Sequence, residues 1–153
     1  MEIKENVIFM IDKFDEQYAF LSNFYNSPIR PFDDDILYPT VEHAFQAAKT
    51  TDIAIRKTIA SQPTPGKAKY IGRHVNLRAN WNTHKIAVME CCLRKKFEIP
   101  QLQEKLLATE NEELIEGNWW HDTFWGVCNG EGENNLGKLL MKIRKELKEN
   151  VST

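Results

Sequence analysis

Along the chain, apolar positions change from short runs at the start to helical spacing beyond residue 40. Residues 7–11 (Val-Ile-Phe-Met-Ile) form a compact apolar run that reads as a short buried strand. Residues 27–38 read as a hairpin: Ile29 and Phe32 lead into Asp33-Asp34-Asp35, and Ile36-Leu37-Tyr38 returns. Pro28 and Pro31 keep the first arm irregular or at an edge.

From there the spacing is helical. Thr40 is the N-cap of a helix whose apolar face is Val41, Ala44, Phe45 and Ala48, at i, i+3, i+4 and i+7. Asp52 caps a second helix running to about Ala60. Thr64-Pro65 opens a short one over 65–71, with Gly72 as its C′ stop. A long helix follows Asn82, burying Ile86, Met89, Leu93 and Phe97. Pro100 starts another with Leu102, Leu106 and Leu107. The last begins at Asn134 or Asn135 on the stripe Leu136, Leu139, Leu140, Ile143 and Leu147, with Lys and Arg on its other faces. The expected fold class is therefore α+β: a mainly helical single domain over 1–153 with a few short N-terminal β-strands. Strands and helices do not alternate, and no GxGxxG or P-loop is present, which argues against a Rossmann-type sheet.

Composition changes this picture in two places. All seven glycines lie at or after Gly66, and five fall from Gly117 to Gly137. Three of the four tryptophans, Trp119, Trp120 and Trp125, fall within one seven-residue stretch. The net charge of -2 argues against coating nucleic acid or anchoring electrostatically to a membrane, and no apolar run is long enough to span one. It weakly favours a small molecule over a polymer as substrate. Three cysteines with one adjacent pair, and a first segment too charged for a secretory signal, fit a reducing cytoplasm. The four histidines show no ligand spacing and there is no CxxC, so no metal is expected.

Within this frame several side chains carry chemistry. Glu42 lies in the first turn of its helix, and Glu42, Gln46 and Lys49 make a polar stripe of acid, amide and amine. One group of each type is unlike an ordinary solvated face with interchangeable charges. Asp122 stands between Trp120 and Trp125. Alone it reads as a turn aspartate. Trp81 alone reads as a hydrophobic staple, and with Trp125 it offers a second flat face for a ligand. Lys67, Lys69, Arg73, Arg78 and Lys85 make 67–85 strongly basic, either a solvated surface or a phosphate subsite. Gly126, Gly130, Gly132 and Gly137 suit close backbone approach to a ligand or a tight turn. At least one of Cys91 and Cys92 reads as core, Cys128 as exposed, and Trp119 and Trp120 as core or rim. Two carboxylates, two indoles and a basic patch suit a nucleotide-like ligand and cleavage of a glycosidic bond.

At these residues the sequence resembles the YbiA-like N-glycosidases, the NADAR family. The resemblance runs through Leu21-Ser22-Asn23-Phe24 and the stretch from Tyr38-Pro39-Thr40-Val41-Glu42 to Ala48-Lys49. It continues at Ala68-Lys69-Tyr70-Ile71-Gly72-Arg73 and Leu77-Arg78-Ala79-Asn80-Trp81, then at Asp122-Thr123-Phe124-Trp125-Gly126 and Asn135 to Met141, a core of about 14–148. It implies hydrolysis of an N-glycosidic bond between ribose phosphate and a base-like group, with no cofactor. In one branch the substrates are early riboflavin-pathway ribosylamino-pyrimidine and ribosylamino-uracil phosphates. In another, ADP-ribose is removed from guanine in nucleic acid, and a non-catalytic ADP-ribose-binding module is the third reading. The implied catalytic pair is Glu42 and Asp122. Trp81 and Trp125 would clamp the base, with Asn23, Phe24 and Lys49 beside them. Arg73, with Arg78 or Lys85, would hold the phosphate. His121 stands where relatives usually have Asn, and Val127-Cys128-Asn129 departs from the family's glycine-rich loop.

Overall fold

The computed structural model describes residues 9–151, so Val7 and Ile8 of the expected first strand lie outside the described residues. The chain divides into two compact units. One runs from Ser22 to Gln103, and the other is formed by the segments before and after it. The architecture is α+β and mainly helical, as the residue pattern predicts: β1 (Met10–Ile11), a 3-10 turn (Glu16–Leu21), α1 (Val41–Ala47), α2 (Ile53–Ala60), α3 (Pro65–Gly72), α4 (Trp81–Lys96), α5 (Pro100–Ala108), β2 (Glu113–Leu114), β3 (Gly117–Asn118), β4 (Val127–Cys128) and α6 (Asn135–Val151).

In the first unit every residue of α1 is buried, and α2, α3 and α4 pack against it. Local capping starts these helices where the sequence predicts. The Thr40 hydroxyl accepts from His43 N at 3.1 Å, Asp52 Oδ1 from Ala54 N at 2.9 Å, and Thr64 Oγ1 from Lys67 N at 3.2 Å. His43 Nε2 faces the Gln62 carbonyl at 2.9 Å, so that nitrogen carries the proton and Nδ1 accepts from the Thr40 hydroxyl at 2.8 Å. Burial, partly countered by that carbonyl, holds the imidazole below its usual pKa and therefore neutral.

The hairpin reduces to one antiparallel bridge, Ile29 to Tyr38. It is tied down by Asp34, which accepts from the Tyr38 hydroxyl at 2.7 Å, from Ile36 N at 3.0 Å and from the Arg56 guanidinium at 3.1 Å. Burial raises this carboxyl's pKa, but the three donors and the Arg56 charge outweigh it and leave it below its ordinary value. Arg56 also donates to the Thr50 carbonyl at 2.8 Å and lies over the Phe32 ring.

Helix α4 starts at Trp81, a residue or two before the predicted start, from Asn80 in the left-handed region (φ 61°). Its buried residues are Trp81, Met89, Cys92, Leu93 and Lys96, so the buried face centres near Met89 and Cys92. Ile86 falls at the edge of that stripe and is 42% exposed, which corrects its assignment to the core. Of the cysteine pair, Cys92 is core and Cys91 exposed. Gly72 is the last residue of α3 rather than a stop beyond it.

In the second unit β1 and β2 pair in parallel, Met10 with Glu113 and Ile11 with Leu114. Only Ile11 of β1 is buried; Phe9 and Met10 are exposed, so the first strand is half-buried rather than core. Strands β3 and β4 also pair in parallel, Gly117 with Val127 and Asn118 with Cys128. Asn134 links strand to helix: its Oδ1 accepts from Glu116 N at 3.0 Å and its Nδ2 donates to the Leu114 carbonyl at 2.9 Å. From there α6 buries Leu136, Leu139, Leu140 and Ile143 as predicted, and packs against β2. Arg144, placed by pattern off the apolar stripe of α6, is buried and donates to Thr109 Oγ1 at 2.8 Å. Among the described residues no helix is long and apolar enough to cross a membrane.

Lys96 is the least expected core residue. Its side chain is fully buried, its Nζ donates to the Ser22 carbonyl at 2.8 Å, and the Tyr25 and Phe97 rings lie 5.6 and 5.3 Å away. Burial pulls its pKa down from 10.5 to about 7. Between those values the unfolded chain holds a proton that the folded one gives up, so Lys96 makes stability rise with pH across that window. In urea titrations at several pH values, the stability difference between the wild type and Lys96→Met is expected to move in favour of the wild type as pH rises from about 7 to 10.5. A pH-independent difference would contradict this.

Candidate active site

The polar stripe of α1 is inside the protein. Glu42 and Gln46 are 7% and 3% exposed, and Gln46 Nε2 donates to Glu42 Oε1 at 2.7 Å. The backbone N–H of Glu42 donates to the Asn23 carbonyl at 3.1 Å, which fixes the Ser22-Asn23-Phe24 segment against the start of α1. Asn23 Nδ2 makes a long contact to Met89 Sδ at 3.6 Å, and its Oδ1 is buried without a protein partner. Phe24 is 46% exposed.

Lys49 lies just beyond α1. Burial lowers its pKa, Glu42 acts to raise it, and Lys69, Arg73 and Lys85 lower it further. Those influences locate the cations. Lys69 on α3, Arg73 at its C-cap and Lys85 on α4 are the cations that act on Lys49, and Arg78 N donates to the Lys49 carbonyl at 2.8 Å. Trp81 is buried at 6% exposure, its ring 5.2 Å from that of Phe45 at 52°. The Ser22–Gln103 unit thus holds Asn23, Phe24, Glu42, Lys49, Arg73, Arg78, Trp81 and Lys85 of the expected site.

Asp122 and Trp125 belong to the other unit. Asp122 Oδ1 accepts from Phe124 N at 3.2 Å and Trp125 N at 2.9 Å, so this carboxylate shapes its own turn. Asn118 grips the Asp122 backbone from both sides, donating to its carbonyl at 2.8 Å and accepting from its N–H at 3.0 Å. The Trp125 ring stands edge-on to Phe124, 4.8 Å between centroids at 89°. His121 has φ 65° and its Nδ1 lies 3.8 Å from Cys128 Sγ. Cys128 is buried, in β4, not exposed in a loop. Trp119 and Trp120 are 82% and 46% exposed and contact each other edge-to-face, which removes Trp119 from any core role. The glycine loop is a tight turn: Gly130 (φ 78°) and Gly132 (φ 150°) flank a bridge from Cys128 to Glu131, and a Cβ on Gly132 would lie 2.1 Å from the Gly126 carbonyl oxygen.

One contributor escaped the residue-by-residue reading. Lys69 was visible in the basic cluster, and Gln46 in the i, i+4 spacing from Glu42. Nothing in the sequence marks Asn118, whose part comes from its hydrogen bonds to the Asp122 backbone rather than from a motif.

The family model described as the NADAR domain matches residues 9–148. The N-glycosidase YbiA of Escherichia coli is 40% identical over 136 residues, covering 86% of this chain and 83% of that protein. An N-glycosidase of Nostoc punctiforme is 38% identical over 144 residues, covering 90% of each. A riboflavin biosynthesis protein of Vibrio vulnificus is 33% identical over 141 residues, which is 90% of this chain but 38% of that longer protein. The NMR structure of the E. coli protein YbiA superposes with a TM-score of 0.78 at 35% identity, covering 95% of this chain and 91% of that one.

The turn bonds of Asp122 separate its structural from its chemical contribution. Asp122→Ala is expected to cost about 1 kcal/mol of stability in urea unfolding, whereas Asp122→Asn keeps an acceptor and stays close to the wild type. Equal stability of all three proteins would show that the turn does not need this side chain.

Proposed function

The chain belongs to the NADAR domain family, and from that premise we propose that it is an N-glycosidase, a hydrolase that releases ribose 5-phosphate from a ribosylated heterocycle phosphate such as an early riboflavin-pathway intermediate. The carrying observation is a buried carboxylate, Glu42, hydrogen-bonded to Gln46, on the helix that leads to Lys49 and its surrounding cations. An anionic group next to cations matches the two charges such a substrate presents during reaction. Positive charge develops at the ribose anomeric carbon, and negative charge is fixed on the phosphate.

In this reading Glu42 stabilises the oxocarbenium-like centre and orients a water. The bond from the anomeric carbon to the base nitrogen breaks, its electron pair leaves with the nitrogen, the water oxygen bonds to the carbon, and the proton the water gives up balances the one the nitrogen takes. The family resemblance assigns protonation of the departing nitrogen to Asp122. Lys69, Arg73 and Lys85 bind the phosphate, with Arg78 adjoining, and Asn23 and Phe24 line the approach to Glu42. The family resemblance assigns stacking on the base to Trp81 and to Trp125. The family match runs through both units, which supports treating residues 14–148 as one functional domain.

A second reading rests on Lys49. An amine moved toward its neutral form is a better nucleophile, and it would form an imine with the opened ribose, whether the substrate is a small phosphate or an ADP-ribosylated guanine. Borohydride added during turnover traps that adduct for mass measurement; its absence assigns attack to water.

Incubation with the ribosylamino-uracil phosphate tests the main reading by release of ribose 5-phosphate. Glu42→Gln and Asp122→Asn are each expected to slow release by roughly 100-fold or more. Lys69→Ala and Arg73→Ala are expected chiefly to raise KM. Wild-type rates in both carboxylate variants would overturn the assignment.

A further inference from the structure

The amide beside Glu42 is held from behind by a missing side chain. Gln46 Oε1 is buried and has no hydrogen-bond partner. It faces Gly72, where a Cβ would lie 1.9 Å from Oε1, 2.8 Å from the amide carbon and 2.9 Å from Gln46 Cβ. Gly72 has no positive φ, so its backbone does not require glycine; the space taken by Gln46 does. The orientation of the amide follows from charge. Its NH2 end must face the Glu42 carboxylate, since the reversed amide would set oxygen against oxygen at 2.7 Å. The unpaired oxygen carries a desolvation cost, and the arrangement persists because α1 and α3 pack closely at this point.

We propose that Gln46 and Gly72 are a positioning pair: Gly72 leaves the slot into which the Gln46 amide fits, and the amide holds the Glu42 carboxylate ionised and in place. Neither residue needs to touch substrate for this. The inference rests on Glu42 being the catalytic carboxylate, but the pairing itself is open to measurement without any substrate. A donor on a carboxylate favours its charged form, so losing the donor raises the pH at which the carboxyl protonates. The charged and titratable groups that act with Glu42 include Lys49, beyond the end of its own helix, and Cys92 on α4, whose thiol is held protonated by burial, then by Cys91 and Glu42. Lys69 and Arg73 at α3 and Lys85 on α4 act on Lys49. All stay in place in the variants below.

The test is a 13C NMR titration of the Glu42 side-chain carboxyl in the wild type, Gln46→Met and Gly72→Ala, with ribose 5-phosphate release followed across the same pH range. Gln46→Met removes the donor at nearly constant volume. Gly72→Ala keeps the donor but fills its slot. Both are expected to move the Glu42 midpoint upward by about one pH unit or more, and to shift the acidic limb of kcat/KM with it. Both should lower kcat by roughly tenfold or more with little change in KM. A Glu42 midpoint unchanged in Gln46→Met overturns the proposal, whatever Gly72→Ala does. If Gly72→Ala fails to fold, Gln46→Met carries the test by itself. If the midpoint moves while Glu42→Gln keeps full activity, the pair stands and the catalytic reading of Glu42 falls.

Discussion

A carboxylate on a fully buried helix must be met by donors or abandoned to a neutral form, and much of the Ser22–Gln103 unit follows from how Glu42 is met. The Gln46 amide donates to it from one turn further along, and the Asn23 carbonyl takes its backbone N–H. To admit Gln46, α3 must bring a residue without a side chain to the crossing, and Gly72 is that residue. To anchor Asn23, the preceding carbonyl of Ser22 is held by Lys96. Helix, neighbouring helix and incoming segment are therefore arranged about one acidic group.

The same logic explains why α1 is only seven residues long. A longer helix buried on all sides would need more apolar length than the sequence offers, and would carry Lys49 inward with it. Ending at Ala47 leaves Lys49 half-buried, with its ammonium among Lys69, Arg73 and Lys85. Like charges gathered in this way oppose folding, and the structure retains them near a carboxylate rather than dispersing them over the surface. In the proposed reaction an anionic group of the substrate would offset part of that cost.

What could be read from the sequence divides along physical lines. Caps were legible because they are local: Thr40, Asp52 and Thr64 bond to amides two or three residues away. The α6 stripe was legible because four leucine and isoleucine positions repeat at helical spacing. Ile86 was misassigned because apolarity alone does not say where on α4 the buried face is centred. Lys96 and Arg144 were hidden because long cationic side chains on helices usually reach solvent, and only tertiary packing reveals a ring pair or a threonine closing over them. The expected acid and amide on α1 came together because i, i+4 spacing fixes that geometry within one helix, while the amine, Lys49, falls just beyond its end.

Gly72 shows most clearly why a motif can be right while its reason is wrong. Its position at the end of a helical pattern invites the reading of a C′ stop, where glycine is favoured for its access to positive φ. Here the backbone stays in the ordinary helical region and the helix includes the residue. The selection is for volume: a methyl group would have to occupy the space of Gln46's amide oxygen. Conformational and steric demands for glycine look identical in one sequence and differ in what a substitution would damage. A lost C-cap weakens the end of α3, whereas a filled slot displaces the donor of the buried carboxylate, so at this position the function and not only the fold depends on the absent side chain.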